Sequence, residues 1–82
     1  MRLNKPVDYP INTQLQEMIL KVILKIIETE AVEDQSALDA LVELTEAIEK
    51  ASKDTVKIET YECQAALMAI MEVIRRIMEE KS

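Results

Sequence analysis

Residues 18–27 read Met-Ile-Leu-Lys-Val-Ile-Leu-Lys-Ile-Ile, and the way this run folds decides the architecture of the chain. Wound as an α-helix at 3.6 residues per turn, it sets Lys21 and Lys25 on one narrow polar stripe and covers roughly 240° of the circumference with aliphatic side chains. One helix of a small bundle needs an apolar arc of only a little over about 100°. The surplus predicts a helix covered from more than one side, by its own chain and by a second copy or another protein. Leu20, Ile23, Leu24 and Ile27 form the expected association face. Met68, off the apolar seam of its own helix, is the expected contact from elsewhere in the chain.

Outward from this run, the pattern predicts a first helix over 12–32. It is expected to start at Asn12 or Thr13; Thr13 and Gln16 have the spacing of a capping box, and Gln14, Glu17, Lys21, Lys25 and Glu28 make the polar stripe. Upstream, residues 1–10 read as an extended arm, because Pro6 and Pro10 remove backbone donors and push the preceding residues out of the helical region. Leu3, Val7 and Tyr9 are its expected apolar contacts, against a helix or a partner. Downstream, Leu38, Leu41, Val42, Leu44 and Ile48 predict an ordinary amphipathic helix over 35–52, opened by Asp34 or Ser36. A third helix is expected over 57–80, on the 4-3-4-3 spacing of Cys63, Leu67, Ile70, Ile74 and Ile77. Its start is open between a cap at Asp54 or Thr55 and a later one at Thr60, with Val56 and Ile58 as an extended lead-in.

Composition points the same way. The 82 residues contain no Gly, Phe, Trp or His, and their two prolines both lie in the first ten positions. A glycine-free chain rich in Ala, Leu, Ile, Met, Glu and Lys reads as all-α: three helices with an extended N-terminal arm, associating as a helical-bundle dimer. Association is expected because folding at this size buries only about 60–65% of the unfolded surface. One cysteine, Cys63, excludes an intrachain disulfide, and without histidine a structural zinc site is not expected.

The net charge is −6, and between Lys25 and Lys50 there are eight acids and no base. Such a pole argues against direct nucleic-acid binding, which needs a basic patch. It suits a protein partner with a basic surface, and Asp39, Glu43, Glu46 and Glu49 are the expected contact face. No apolar run approaches the ~20 residues needed to span a membrane. Residues 1–10 lack the apolar region of a signal peptide, and together with the single thiol this predicts a cytoplasmic protein. The catalytic inventory is thin: no histidine to act as general base, no glycine loop to cradle phosphate, and Cys63 on an apolar seam. Neither a catalytic residue nor a cofactor is expected on these grounds.

One spacing carries a chemical alternative. Glu43-x-x-Glu46 is followed by Glu59-x-x-Glu62, and acids at i and i+3 on a helix stand on adjacent turns. Two such pairs supply the oxygen ligands that Mg²⁺ prefers. The segments Leu41-Val-Glu-Leu-Thr-Glu-Ala-Ile48 and Glu59-Thr-Tyr-Glu-Cys-Gln-Ala-Ala-Leu67 resemble the MazG-type all-α nucleotide pyrophosphohydrolases over residues 38–74. Val42 stands where that family commonly opens with a second glutamate, and Glu62 where it carries aspartate. The resemblance implies Mg²⁺-dependent release of pyrophosphate from a nucleoside triphosphate, with Glu43, Glu46, Glu59 and Glu62 as metal ligands. Glu43 and Glu46 face away from the apolar stripe of their own helix, so the pairs are expected to meet only across another interface.

The primary expectation is a non-enzymatic interaction or regulatory protein, a homodimer or the ligand of another protein. By analogy of class it fits an inhibitor or adaptor of a larger nucleic-acid-processing machine, as phage and mobile-element accessory proteins are. A structural assembly subunit is a third reading.

Overall fold

The residues from Thr55 to Thr60 alternate, with Val56 and Ile58 on one side and Lys57 and Glu59 on the other. Four of the six are β-branched, which suits a pleated, half-buried strand better than the first turn of a helix. The computed structural model describes residues 1–30 and 32–81, and in it this segment is a strand. The order is β1 (Arg2–Pro10), α1 (Thr13–Glu28), α2 (Gln35–Glu49), β2 (Thr55–Thr60) and α3 (Tyr61–Lys81). The chain is therefore mostly but not purely α-helical, which corrects the all-α expectation. The third helix begins at Tyr61 rather than at 57. This is the later of the two expected starts, with Thr60 as cap and Val56 and Ile58 extended before it.

The N-terminal arm is extended as expected, but its partner is a strand rather than a helix. β1 runs antiparallel to β2, pairing Val7 with Ile58, Asp8 with Lys57 and Tyr9 with Val56. Directly opposed residues share a face, so the apolar pairs point one way and the Asp8–Lys57 pair of opposite charges points the other. The register breaks between Arg2 and Val7, where Pro6 has no donor for the ladder. A two-stranded sheet is marginal alone. This one packs Val56 and Ile58, both fully buried, into a core with Ile11, Ile19, Ile23, Leu41, Leu44, Ile48, Cys63, Leu67, Ile70 and Ile74. Leu3 and Tyr9 lie half-buried against it, while Val7 is exposed.

Side-chain oxygens open all three helices. Asn12 Oδ1 accepts from the Leu15 N–H at 2.8 Å, and Asp34 Oδ1 accepts from the Ser36 N–H and hydroxyl, each at 3.0 Å. Thr60 Oγ1 accepts from the Cys63 N–H at 3.1 Å. Of the two expected starts Asn12 is the cap, and Gln16, expected in a capping box with Thr13, is used elsewhere. Its buried amide donates to the Ile11 carbonyl at 2.8 Å and to the Lys53 carbonyl at 2.6 Å. One side chain so ties the end of β1, the first turn of α1 and the turn before β2.

α1 stops at Glu28, short of the expected 32. The Thr29 hydroxyl donates to the Lys25 and Ile26 carbonyls, and Glu30 turns into the left-handed region at φ 53°. That is the position after a helix where glycine usually stands, and this chain has none. Ala31, inside the expected helix, lies outside the described residues. α2 stops at Glu49 rather than 52, and Lys53 (φ 52°) makes the second left-handed turn, closed by reciprocal Ser52–Thr55 backbone hydrogen bonds.

Gln16→Leu should lower stability by about 1–3 kcal/mol, because it strands one buried and one part-buried carbonyl while keeping the volume. Urea unfolding followed by circular dichroism measures this. Lys53→Gly should raise stability by about 0.5–1 kcal/mol in the same experiment, since glycine carries no penalty at positive φ and loses part of that gain through unfolded-state entropy.

Candidate functional site

The late start of α3 places its first residues against the middle of α2. The Thr60 hydroxyl, besides capping α3, donates to Glu43 Oε2 at 2.6 Å. This bond holds the half-buried Glu43 side chain at the β2–α3 junction. Asp39, Glu43 and Glu46, one turn apart along α2, line a shallow cleft of about 440 Å³ with Thr60 and Glu62. Val42, expected on the apolar stripe of its helix, is instead 48% exposed beside them. Glu49 is exposed and about 120° round the helix from Glu43 at 100° per residue, so the expected four-acid face reduces to three of its members plus Glu62.

Glu43 and Glu46 also border a second cleft, of about 390 Å³, with Asp8, Lys50, Lys57 and Glu59. Glu43 and Glu46 therefore share a cleft with each member of the second pair within one chain, where the pairs were expected to meet only across another interface. Glu59 and Glu62 open into different clefts, on the two sides of the β2–α3 junction. Among the described residues no three Cys, Asp or Glu side chains form a group that could hold a metal ion. Glu62 is held below the usual carboxylate range by hydrogen bonding to the Met1 ammonium, whose nitrogen lies 2.6 Å from Oε2, and to its own backbone amide.

The acidic cleft runs into an apolar groove. Ser36, Ala40 and Glu62 belong to both, so the two form one trough between α2 and α3. The groove holds about 440 Å³. It is lined by five alanines (Ala37, Ala40, Ala65, Ala66, Ala69) together with Ile26, Val32, Leu41, Ile70 and Val73, of which Leu41 and Ile70 are buried. No single residue in the sequence marks this feature. It arises because small side chains from two helices that are distant in sequence come to lie side by side.

The expected association face divides. Ile23 is a core residue, 2% exposed, and Leu20 is half-buried. Both are used within the chain, because α1 packs on α2 and α3. Leu24, at 57%, and Ile27, at 40%, remain on the surface. Met68 is exposed too, about 140° round α3 from Val73 and so away from the groove. Ile77 and Met78 continue the inner face of α3 yet are exposed, because this 21-residue helix is longer than the 16- and 15-residue helices it packs on.

No helix among the described residues is long and apolar enough to cross a membrane. No protein-family model, curated protein or solved structure matches this chain.

Cys63 is 1% exposed, and burial, reinforced by the Glu43 carboxylate, pushes its thiol up to about 11. The native protein should resist a thiol reagent at neutral pH and react fully in urea. Between about 9 and about 11 the native state keeps a proton that the unfolded chain has lost, so stability present below 9 should decline as pH rises through that window. A Cys63→Ala variant should lack this component of the decline in urea melts at successive pH values.

Proposed function

We propose that this chain is a non-catalytic interaction protein whose working surface is the trough between α2 and α3, and that it takes an amphipathic helix with a basic end. The observation that carries this reading is continuity: an apolar, alanine-lined groove leads directly into a cleft bordered by Asp39, Glu43, Glu46 and Glu62. Small side chains let a docking helix approach closely, and the acids select its charge. Helix-in-groove recognition uses this combination of apolar anchors and flanking charges. Net charge supports the sign of the partner, because α2 between Asp34 and Glu49 bears five acids and no base.

The chemistry of the residues favours binding over catalysis. There is no histidine, and the one thiol is buried and protonated at neutral pH, the opposite of the exposed, electropositive setting a nucleophilic cysteine needs. The pyrophosphohydrolase reading asks Glu43, Glu46, Glu59 and Glu62 to surround one cation, and the separation of Glu59 from Glu62 does not favour it. A role as inhibitor or adaptor of a larger machine is compatible with a single helix-sized docking trough.

A designed peptide helix of about five turns tests this, with Leu and Ala on one face and two arginines at its C-terminal end. Binding followed by fluorescence anisotropy should weaken at least about tenfold, or about 1.4 kcal/mol, with Ala69→Glu in the groove or with Asp39→Lys, Glu43→Lys and Glu46→Lys combined. It should also weaken with added salt. The reading fails if the peptide does not bind, or if a version with glutamates in place of the arginines binds equally well.

A further inference from the structure

α3 carries on its own surface the complement of the trough it helps to form. Glu62, Ala69 and Arg76 follow one another at intervals of seven residues, and Ala66 and Val73 repeat the same interval beside them. Together they make a 4-3-4-3 stripe of the kind that two helices share in a coiled coil. This stripe is distinct from the core seam of Cys63, Leu67, Ile70 and Ile74. Ala66, Ala69 and Val73 border the groove, Glu62 stands at its acidic end, and Arg76 lies one turn beyond Val73.

Resting on the helix-docking reading above, we infer that the helix seated in the trough is α3 of a second copy of this chain, antiparallel, with the two-fold axis at Ala69. Residues equally far before and after Ala69 then face each other. Glu62 meets the second copy's Arg76, and Val73 meets its Ala65, a large side chain against a small one. Ala66 meets its Glu72, a carboxylate already engaged by Arg75 and Arg76. Ala69 sits on the axis, and the Glu62–Arg76 pairs lie at both ends. Because the axis is two-fold, the same contacts occur twice, which makes the interface isologous and closed.

Charge supports this occupant. The arginine enters the end of the trough where Asp39, Glu43 and Glu46 lie near Glu62, so the Met1 ammonium on Glu62 leaves the region acidic. Arg76 makes an exposed contact from Nε to Glu72 at 3.2 Å, and such surface pairs hold a side chain weakly. α3 carries four glutamates against Arg75, Arg76 and Lys81, whereas α2 has acids alone. Apposing α3 helices therefore avoids bringing the two acidic poles face to face. Alanines at Ala65, Ala66 and Ala69 permit the close helix approach that this arrangement requires.

Charge exchange tests the pairing with the full chain. Glu62→Arg alone and Arg76→Glu alone each create two like-charge contacts per dimer and should weaken self-association at least tenfold by light scattering coupled to size exclusion. Mixing the two single variants should give a heterodimer, since every facing pair is then opposite in sign. Circular dichroism on each variant establishes that it is folded. As a second measure independent of charge, Ala69→Cys in a Cys63→Ala background should form a disulfide-linked dimer under mild oxidation, while Met68→Cys should not. A wild-type chain that stays monomeric at tens of micromolar overturns the α3 pairing but leaves helix docking standing if the designed peptide binds. A dimer that fails to cross-link through Ala69→Cys, or single variants that do not recombine, overturns the pairing and shows association by another face.

Discussion

The burial of Val56 and Ile58 is the constraint on which the rest of the structure depends. These two side chains belong to a six-residue strand with helices behind it and β1 alongside. Neither layer suffices alone: the two strands need an apolar backing, and the helices, which bring no aromatic side chain into the core, need something to close their open side. β2 supplies both, and it does so across the chain's length, bringing residues 2–10 next to residues 55–60. The Gln16 amide stabilises the same junction from the polar side by satisfying the carbonyls of Ile11 and Lys53. Apolar burial sets the position of the strand, and the glutamine satisfies backbone groups that burial would otherwise leave unpaired.

The position of β2 has a consequence for the surface. Because the strand runs to Thr60, α3 cannot begin before Tyr61, and its rotation about its own axis is set by Cys63 and Leu67 facing the core. That rotation turns Ala66, Ala69 and Val73 towards α2, where Ala37 and Ala40 present equally small side chains. Two packed helices with bulkier residues at these positions would fill the space between them. Here a trough stays open, and the Thr60–Glu43 hydrogen bond keeps its acidic end in register with α3.

The absence of glycine leaves its mark on the connections. Glu30 and Lys53 take left-handed conformations that glycine would adopt without cost. Their side chains are exposed, so the strain is confined to the backbone. Cap chemistry compensates in part, since Asn12, Asp34 and Thr60 each satisfy a helix N-terminus. Helix formation was thus legible locally, from caps and from 3.6-residue periodicity, and three helices appear close to where those signals place them. β2 was harder to read: a run of Val-x-Ile bounded by threonines is too short to separate a strand from a helix's first turn by alternation alone. Pairing with β1, a partner about fifty residues away, decides between them.

Local sequence by itself determined the helices, the extended arm, the buried inert thiol and the acidic character of α2, because each follows from side-chain type and spacing within a few turns. Tertiary structure decided which apolar residues are spare. The run from Met18 to Ile27 looks overprovided in isolation, yet Ile19 and Ile23 disappear into the core and Leu24 and Ile27 stay outside. Four glutamates at suggestive spacing come near one another but open on two sides of the β2–α3 junction. The trough between α2 and α3 has no signature in either helix, since alanine reads as a good helix former wherever it stands. Its shape is a property of two surfaces brought together, and only the path of the chain between them sets that distance.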